Sequence, residues 1–222
     1  MKRIKLTVAY DGTHYSGWQI QPNAPTIEKE LDTAIYALTG EKLHVTGASR
    51  TDAGVHGLGN VAVFDTESTI PGSRFCYALN RYLPEEISIL ESREVKGDFH
   101  PRHCNTKKTY EYKILNPQQR NYAWHVPGKL DTVRMREAAA LLVGEHDFKS
   151  FCCVRTQTET TVRHVYGLEI SEQDAYGAKM FTIRITGNGF LYNMVRIIAG
   201  TLVQVGKGQL SADDVAQMLE AK

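Results

Sequence analysis

Residues 47–57 read GASRTDAGVHG, and this segment is the most informative part of the chain. Three glycines at this density favour a backbone that turns sharply or is approached closely by another group. Stretches at about 43–48 and 59–65 have strand patterns, so we expect the segment to connect two strands. Arg50 and Asp52 lie two residues apart and leave an extended backbone on the same side. An oriented, ionised carboxylate makes Asp52 a candidate nucleophile or base. The alternative is a turn with an ordinary surface ion pair.

The first half of the chain alternates between strand and helix patterns. A helix is predicted from the N-cap candidate Thr26 to Gly40, and a short second helix begins at Pro71. Strands are predicted at 3–10, about 43–48, 59–65 and 87–95. The resulting order, β-α-β-β-α-β, is the split βαβ or ferredoxin-like unit.

The second half repeats this order but stops before the last strand. Asp131 is the predicted cap of a helix that ends at Gly144, and Ser211 is the predicted cap of a final helix. The remaining elements are strands at 109–115, near 162–171 and at 179–186, and a helix over 190–205. An unfinished βαββα unit has an exposed sheet edge. We therefore expect either a further strand outside this sequence or a partner that covers the edge.

These patterns together predict an α+β fold with two ferredoxin-like halves. Gly97, Asp98 and Pro101 favour a boundary near residue 100. We assign residues 1–98 to an N-terminal domain that carries the Asp52 loop. Residues 99–222 form a C-terminal domain that lacks its last strand.

The amino-acid composition limits the classes of protein to which this chain can belong. The 222 residues are 42% apolar and 23% charged, as is ordinary for a soluble globular protein. No apolar run approaches the ~20 residues that a membrane span needs. The N-terminus starts basic and continues as a strand pattern, without the features of a signal peptide. We expect a cytoplasmic protein.

The metal-binding residue types show no ligand spacing. Cysteines 76, 104, 152 and 153 include no CxxC pair, and the histidines at 14, 56, 100 and 103 form no metal motif. We predict buried or idle thiols in a reducing compartment and no metal site.

Charge is unevenly distributed, although the net charge is only +1. Residues 99–136 contain 8 basic and 2 acidic residues, interleaved with Tyr110, Tyr112, Tyr122 and Trp124. Such a pattern suits a polyanion with bases that can stack. A solvated strand face is the competing interpretation.

Two residues of the second half are further candidates. Arg196 lies on an otherwise apolar helix, so it either pairs with an anion such as Asp52 or extends to solvent. Tyr110 shares a strand face with Tyr112. It is suited to stacking on a base, and a cross-strand aromatic pair in the core is the commoner alternative.

Together these segments resemble the tRNA pseudouridine synthase A family. The string Arg-Thr-Asp-Ala-Gly-Val-His is highly specific, and further motifs follow in order over most of the chain. The matching segments are AYDGT (9–13), GWQ (17–19), SRTDAGVH (49–56), FHPR (99–102), KTYEY (108–112) and GFLYNMVR (189–196).

The resemblance implies an isomerase that converts uridine to pseudouridine in the anticodon arm of tRNA, at positions 38 to 40. It implies no cofactor, a homodimer, and two ferredoxin-like halves with a joined, mainly antiparallel sheet, helices on one face and a cleft between the halves. The family's nucleophile matches Asp52, its active-site tyrosine matches Tyr110, and its aspartate-pairing arginine matches Arg196. Arg50 matches the arginine that holds the target nucleotide out of the stack.

Two other functions compete with this interpretation. A non-catalytic RNA-binding module would use the same basic and aromatic residues. A hydrolase of the glycosidase type would need a second acid near Asp52, for which Asp11 is the candidate. Residue types alone do not decide whether Asp52 attacks C1′, attacks C6 or removes a 2′ proton.

Overall fold

The computed structural model describes residues 1–103, 107–115, 122–154, 156, 158–175 and 178–221. The chain divides into two compact units, Met1–Cys104 and Asn105–Lys222. The sequence pattern predicts this division after residue 98. Cys76 is a buried thiol, Cys152 and Cys153 are half-buried thiols, and Cys104 lies outside the described residues.

The N-terminal unit has the predicted order of strands and helices. Its elements are β1 (Lys2–Tyr10), α1 (Ile27–Thr39), β2 (Thr46–Gly47), β3 (Gly57–Thr66), a 3-10 turn (Gly72–Arg74), α2 (Phe75–Leu79) and β4 (Ile87–Val95). The strands lie in the order β2-β3-β1-β4, and every neighbouring pair is antiparallel.

The core of this unit lies between the sheet and its helices. Alternate residues of β1, Ile4, Leu6 and Val8, are fully buried. Phe64 of β3 packs edge-on against Phe75 of α2, with 5.4 Å between ring centroids. The period-2 pattern of β1 therefore fixes which face of the sheet meets the helices.

Strand β2 is shorter than predicted. Only Thr46 and Gly47 pair with β3, where residues 43–48 were expected to form a strand. The side chains of Leu43 and Val45 do pack into the core. The Val45 amide, however, donates to the Asp32 carboxylate of α1 at 2.9 Å and so contributes no ladder bond. The apolar residue pattern does not reveal that the Asp32 carboxylate, and not a neighbouring strand, accepts the hydrogen bond from the Val45 amide.

Helix α1 begins after Thr26 as predicted, without the predicted side-chain cap. The Thr26 hydroxyl is buried and makes no capping bond. Backbone carbonyls take its place: Ile27 N donates to Gly17 O at 3.2 Å and Glu28 N to Trp18 O at 3.0 Å. The first amides of a helix need some acceptor, and here the preceding loop provides it.

The C-terminal unit contains a second sheet and three further helices among the described residues. Its elements are β5 (Lys108–Leu115), β6 (Trp124–His125), α3 (Thr132–Leu141), β7 (Gly144–Asp147), a 3-10 turn (Lys149–Phe151), β8 (Val162–Ala175), β9 (Ala178–Gly187), α4 (Met194–Gly206) and α5 (Ala212–Glu220). The strand order is β6-β5-β9-β8-β7, antiparallel except for the short β5–β6 pair. The fold is therefore α+β, as predicted.

The predicted caps of α3 and α5 are confirmed. The Asp131 carboxylate accepts from Val133 N at 3.0 Å and from Arg134 N at 3.1 Å. Ser211 and Asp214 form a reciprocal capping box. No helix in the described part of the chain is both long and apolar enough to span a bilayer.

Helix α4 begins four residues later than predicted. Asn193 adopts a left-handed conformation with φ of 59°, and Met194 N donates to Leu191 O at 3.0 Å. This turn ends the preceding segment before regular helix begins. Arg196 is therefore the third helical residue and lies in the first turn, whereas the predicted start at residue 190 places it in the second turn.

Candidate active site

Asp52 lies in the loop between β2 and β3 of the N-terminal unit. The Asp52 side chain is half-buried, whereas that of Arg50 is exposed. Within the described part of the chain no ion pair joins the two. The surface ion pair considered as an alternative is therefore not formed.

Asn60 fixes the point at which the chain leaves β2. Its Nδ2 donates to Ser49 O at 3.0 Å, and its Oδ1 accepts from Ser49 N at 3.2 Å. In the adjacent residue pair, Ala48 N donates to Val61 O at 2.7 Å. The amide of Asn60 thus extends the β2–β3 ladder by one side-chain pair, and it orients the segment that leads to Asp52.

A second loop, residues 11–18 after β1, holds the opposite side of the Asp52 loop. Trp18 N donates to Thr51 O at 3.0 Å, and Gly54 N donates to Tyr15 O at 3.2 Å. The hydroxyl groups of Tyr10 and Thr51 are also hydrogen-bonded, with 2.9 Å between the oxygens. Thr51, directly before Asp52, and Gly54, two residues after it, are thereby both hydrogen-bonded to the other loop.

Glycine is required where these two loops approach each other. A Cβ on Gly12 would lie 2.1 Å from the Val55 carbonyl oxygen. Gly17 has φ of +95°, and a Cβ there would lie 2.5 Å from the Thr51 carbonyl oxygen. Both contacts are with backbone, which cannot rotate away, so any larger residue would displace the Asp52 loop.

His56 and Asp11 form a third connection between the loops. His56 Nδ1 lies 3.0 Å from Asp11 Oδ1 and accepts from Gly12 N at 3.2 Å. A neutral ring protonated on Nε2 accepts the Gly12 amide proton, and a doubly protonated ring donates to Asp11. The Asp11 carboxylate also accepts from Thr13 N at 2.9 Å, which fixes its orientation in this loop.

The phenol of Tyr15 adds an uncharged, buried group next to the Asp52 loop. Burial raises the pKa of the Tyr15 hydroxyl, and the charges of Glu86 and Glu30 raise it further. Tyr15 therefore remains protonated at neutral pH.

Sequence reasoning missed Asn60, Tyr10 and the joining role of His56. One signal was available for Asn60, because asparagine is unfavourable inside a strand and interrupts the apolar pattern of β3. The hydroxyl pair of Tyr10 and Thr51 has no comparable signal, since the two residues lie 41 positions apart.

The other two candidate residues belong to the C-terminal unit. Tyr110, on β5, is half-buried and packs edge-on against Phe190, with 5.3 Å between ring centroids. Its strand neighbour on the same face, Tyr112, packs against Trp124 at 6.1 Å. Arg196 is exposed and lies in the first turn of α4. Among the described residues, no group of three His, Cys, Asp or Glu side chains is arranged to hold a metal ion.

Comparison with known sequences connects this loop to a family. A family model described as tRNA pseudouridine synthase matches residues 6–103 and 138–222. The match includes β1 from Leu6 onward, both loops of the candidate site, and α4 with Arg196, whereas Tyr110 lies between the two matched ranges.

Individual relatives are similar over nearly the whole chain. A tRNA pseudouridine synthase A from Acetivibrio thermocellus is 47% identical over 227 aligned positions, covering 100% of this chain and 91% of the relative. Proteins of the same name from Ruminiclostridium cellulolyticum and Bacillus pumilus are 46% and 43% identical, covering 97% and 99% of this chain and 89% and 90% of the relatives. The chain belongs to the tRNA pseudouridine synthase A family.

Proposed function

We propose that this protein is an isomerase that converts uridine to pseudouridine in the anticodon arm of tRNA, at positions 38 to 40. The observation that carries the proposal is the specific string at residues 50–56 within a family match that extends along the chain. In this reaction the N1–C1′ bond breaks and a C5–C1′ bond forms. The proton lost from C5 balances the one gained at N1, so the reaction requires no co-reactant.

Asp52 is the proposed nucleophile. Its loop is bonded to Asn60 on one side and to residues 11–18 on the other, which restricts the positions that its carboxylate can take. Such preorganisation is what a nucleophile needs, since small displacements of a reacting group are costly. As a nucleophile Asp52 would attack C1′ of the ribose or C6 of the uracil; the alternative role is that of a base that removes a 2′ proton.

Arg50 is the proposed group that holds the target nucleotide out of the stack. Its guanidinium is exposed and forms no ion pair in the described part of the chain, so its charge is available to a phosphate or a base. A base inside a stem must be extruded before reaction, at a cost of a few kcal/mol. An inserted arginine would offset part of that cost.

Tyr110 and Arg196 are the proposed contributions of the C-terminal unit. Tyr110 would stack on the uracil, and its contact with Phe190 supports this role because it orients the ring. Arg196 would pair with the catalytic aspartate and keep it charged.

The finer structural features are part of the same proposal. Antiparallel order β2-β3-β1-β4 in the first sheet and β5-β9-β8 in the second support two ferredoxin-like halves, with the second lacking its last strand. The domain bounds remain 1–98 and 99–222. We further propose a homodimer that acts in the cytoplasm on tRNA without a cofactor.

The test maps pseudouridine in unmodified tRNA after incubation with wild-type protein, Asp52→Asn and a control, Asp174→Asn. Asp174 is an exposed aspartate whose carboxylate pairs with Lys179. We expect modification by the wild type and the control, and none by Asp52→Asn, with tRNA binding retained by all three. Modification by Asp52→Asn would contradict the nucleophile assignment. Binding without modification by the wild type would favour the RNA-binding module, and released uracil would favour the hydrolase.

A further inference from the structure

Arg163, near the start of β8, is a half-buried arginine bonded only to carbonyl oxygens. Its Nη1 donates to Val162 O at 2.6 Å and to Thr160 O at 2.9 Å. No acceptor is bonded to its Nε or Nη2 in the described part of the chain. The Nε–Nη2 edge of the guanidinium therefore has no hydrogen-bond partner among the described residues.

No carboxylate compensates this charge. Every aspartate and glutamate of the chain lies among the described residues, and none forms an ion pair with Arg163. Burial lowers the pKa of the guanidinium, although an arginine remains charged at neutral pH. A partly desolvated cation without a carboxylate partner is costly, and binding an anion would offset that cost.

The backbone at Gly189 lies beside the Arg163 side chain. A Cβ built on Gly189 would lie 3.9 Å from Arg163 Nε and 4.0 Å from its Cδ, which is ordinary van der Waals contact. Asn188 holds the loop in place through two hydrogen bonds. Its backbone N–H donates to His164 O at 3.1 Å, and its side-chain Oδ1 accepts from His164 N at 3.0 Å. The same loop leads into α4, whose third residue is Arg196.

We infer that Arg163, together with the backbone at Gly189, is a binding site for a phosphate group of the RNA substrate. The inference rests on the proposed function for the identity of the ligand. A phosphodiester supplies oxygen acceptors in the geometry that the Nε–Nη2 edge of arginine prefers. The alternative is a purely structural arginine that closes the turn at residues 160–162 through its two carbonyl bonds.

The two roles differ in their dependence on salt. Each phosphate that a protein neutralises releases counterions, so losing one contact reduces the slope of log affinity against log salt by about 0.7 to 0.9. A structural arginine leaves that slope unchanged, because a stability defect does not alter the number of neutralised phosphates.

The experiment measures affinity for unmodified tRNA over a range of salt concentrations, together with thermal unfolding, for wild type, Arg163→Gln, Arg163→Lys and Arg136→Gln. Arg136 is the control, because it is an exposed arginine of α3 that also donates to a carbonyl, Ile170 O at 3.1 Å. We expect Arg163→Gln to reduce the slope by about 0.7 to 0.9 and to weaken binding about tenfold at low salt. Arg163→Lys keeps the wild-type slope, with weaker binding because the fork is lost, and Arg136→Gln keeps both the slope and the affinity.

An unchanged slope in Arg163→Gln, whatever its affinity, would overturn the inference. If Arg163→Gln does not fold, Arg163→Lys decides, since wild-type affinity at low salt in that variant would also overturn it. Wild-type protein that neither binds nor modifies tRNA would instead refute the proposed function, so the two failures are distinguishable.

Discussion

Asn60 binds Ser49 through both ends of its side-chain amide, at 3.0 Å to the carbonyl and 3.2 Å from the N–H. The same unit contains a matched pair at another place. Asn80 Nδ2 donates to Ile89 O at 3.0 Å, and Asn80 Oδ1 accepts from Ile89 N at 2.7 Å. Only the Asn60 pair adjoins the Asp52 loop, so comparison of the two separates an effect on the loop from an effect on stability.

Replacing Asn60 by aspartate is expected to slow pseudouridine formation. Asn60→Asp keeps an acceptor for Ser49 N, but it places a carboxylate oxygen against the Ser49 carbonyl oxygen. Because these two acceptors repel each other, we expect the start of the loop to shift. We expect the free energy of unfolding to fall by about 1 kcal/mol and kcat to fall by about tenfold or more, with tRNA affinity unchanged. Asn80→Asp should show a similar stability loss and a wild-type kcat. Equal losses of kcat in both variants would refute a positioning role for Asn60.

Substituting Gly17 by alanine is expected to disturb the same loop from its other side. The new Cβ would meet the Thr51 carbonyl oxygen at a φ that alanine disfavours, so we expect a loss of about 1–3 kcal/mol and much reduced activity. Gly40 is the matched control, because it has φ of +74° with nothing within 4 Å of the added Cβ. Gly40→Ala should cost about 1 kcal/mol and leave activity unchanged. Thermal unfolding and pseudouridine mapping measure the two effects.

The two tyrosines of β5 are expected to respond differently to truncation. Tyr110→Ala and Tyr112→Ala each remove an aromatic ring that packs edge-on, against Phe190 and Trp124 respectively. Their stability losses should therefore be comparable. If Tyr110 stacks on the uracil, its truncation lowers kcat/KM by a further factor of about 10 to 100. Equal kcat/KM values in the two variants would rule out the stacking role.

The bidentate ion pair between Arg3 and Asp65 is expected to make stability depend on pH at the acid end. Its N–O distances are 2.8 and 2.6 Å, and the hydrogen bonds and charge of Arg3 lower the pKa of the Asp65 carboxyl. The stabilisation is present above the unfolded-state value of about 3.9 and is lost as pH falls through the lower folded-state value.

Asp65→Asn should therefore lower the free energy of unfolding by about 1 kcal/mol at neutral pH, and the difference from wild type should shrink below about pH 4. Asp174→Asn removes an exposed partner of Lys179 and should change stability little at any pH. Denaturant unfolding at several pH values measures both. A wild-type advantage over Asp65→Asn that grows as the pH falls would contradict the assigned sign.

Periodicity was enough to predict most elements of this fold. Ile4, Leu6 and Val8 alternate because a strand places successive side chains on opposite faces, and Asp131 precedes α3 because a helix needs an acceptor for its first amides. The two main errors have local causes outside those patterns. A carboxylate of α1 takes the Val45 amide, and the left-handed turn at Asn193 delays α4.

The candidate site likewise has one part that the sequence predicts and one part that it does not. Residue types and their spacing pointed to Asp52, Arg50, Tyr110 and Arg196, because the chemistry of a carboxylate or a guanidinium belongs to the side chain itself. The contacts that fix the Asp52 loop were not predictable, since Tyr10 and Thr51, or Gly12 and Val55, lie more than forty positions apart. Such pairs meet only when the strands that carry them have assembled. The identity of the candidate groups is thus a property of the chain, and the orientation of the loop that carries Asp52 is a property of the packed structure.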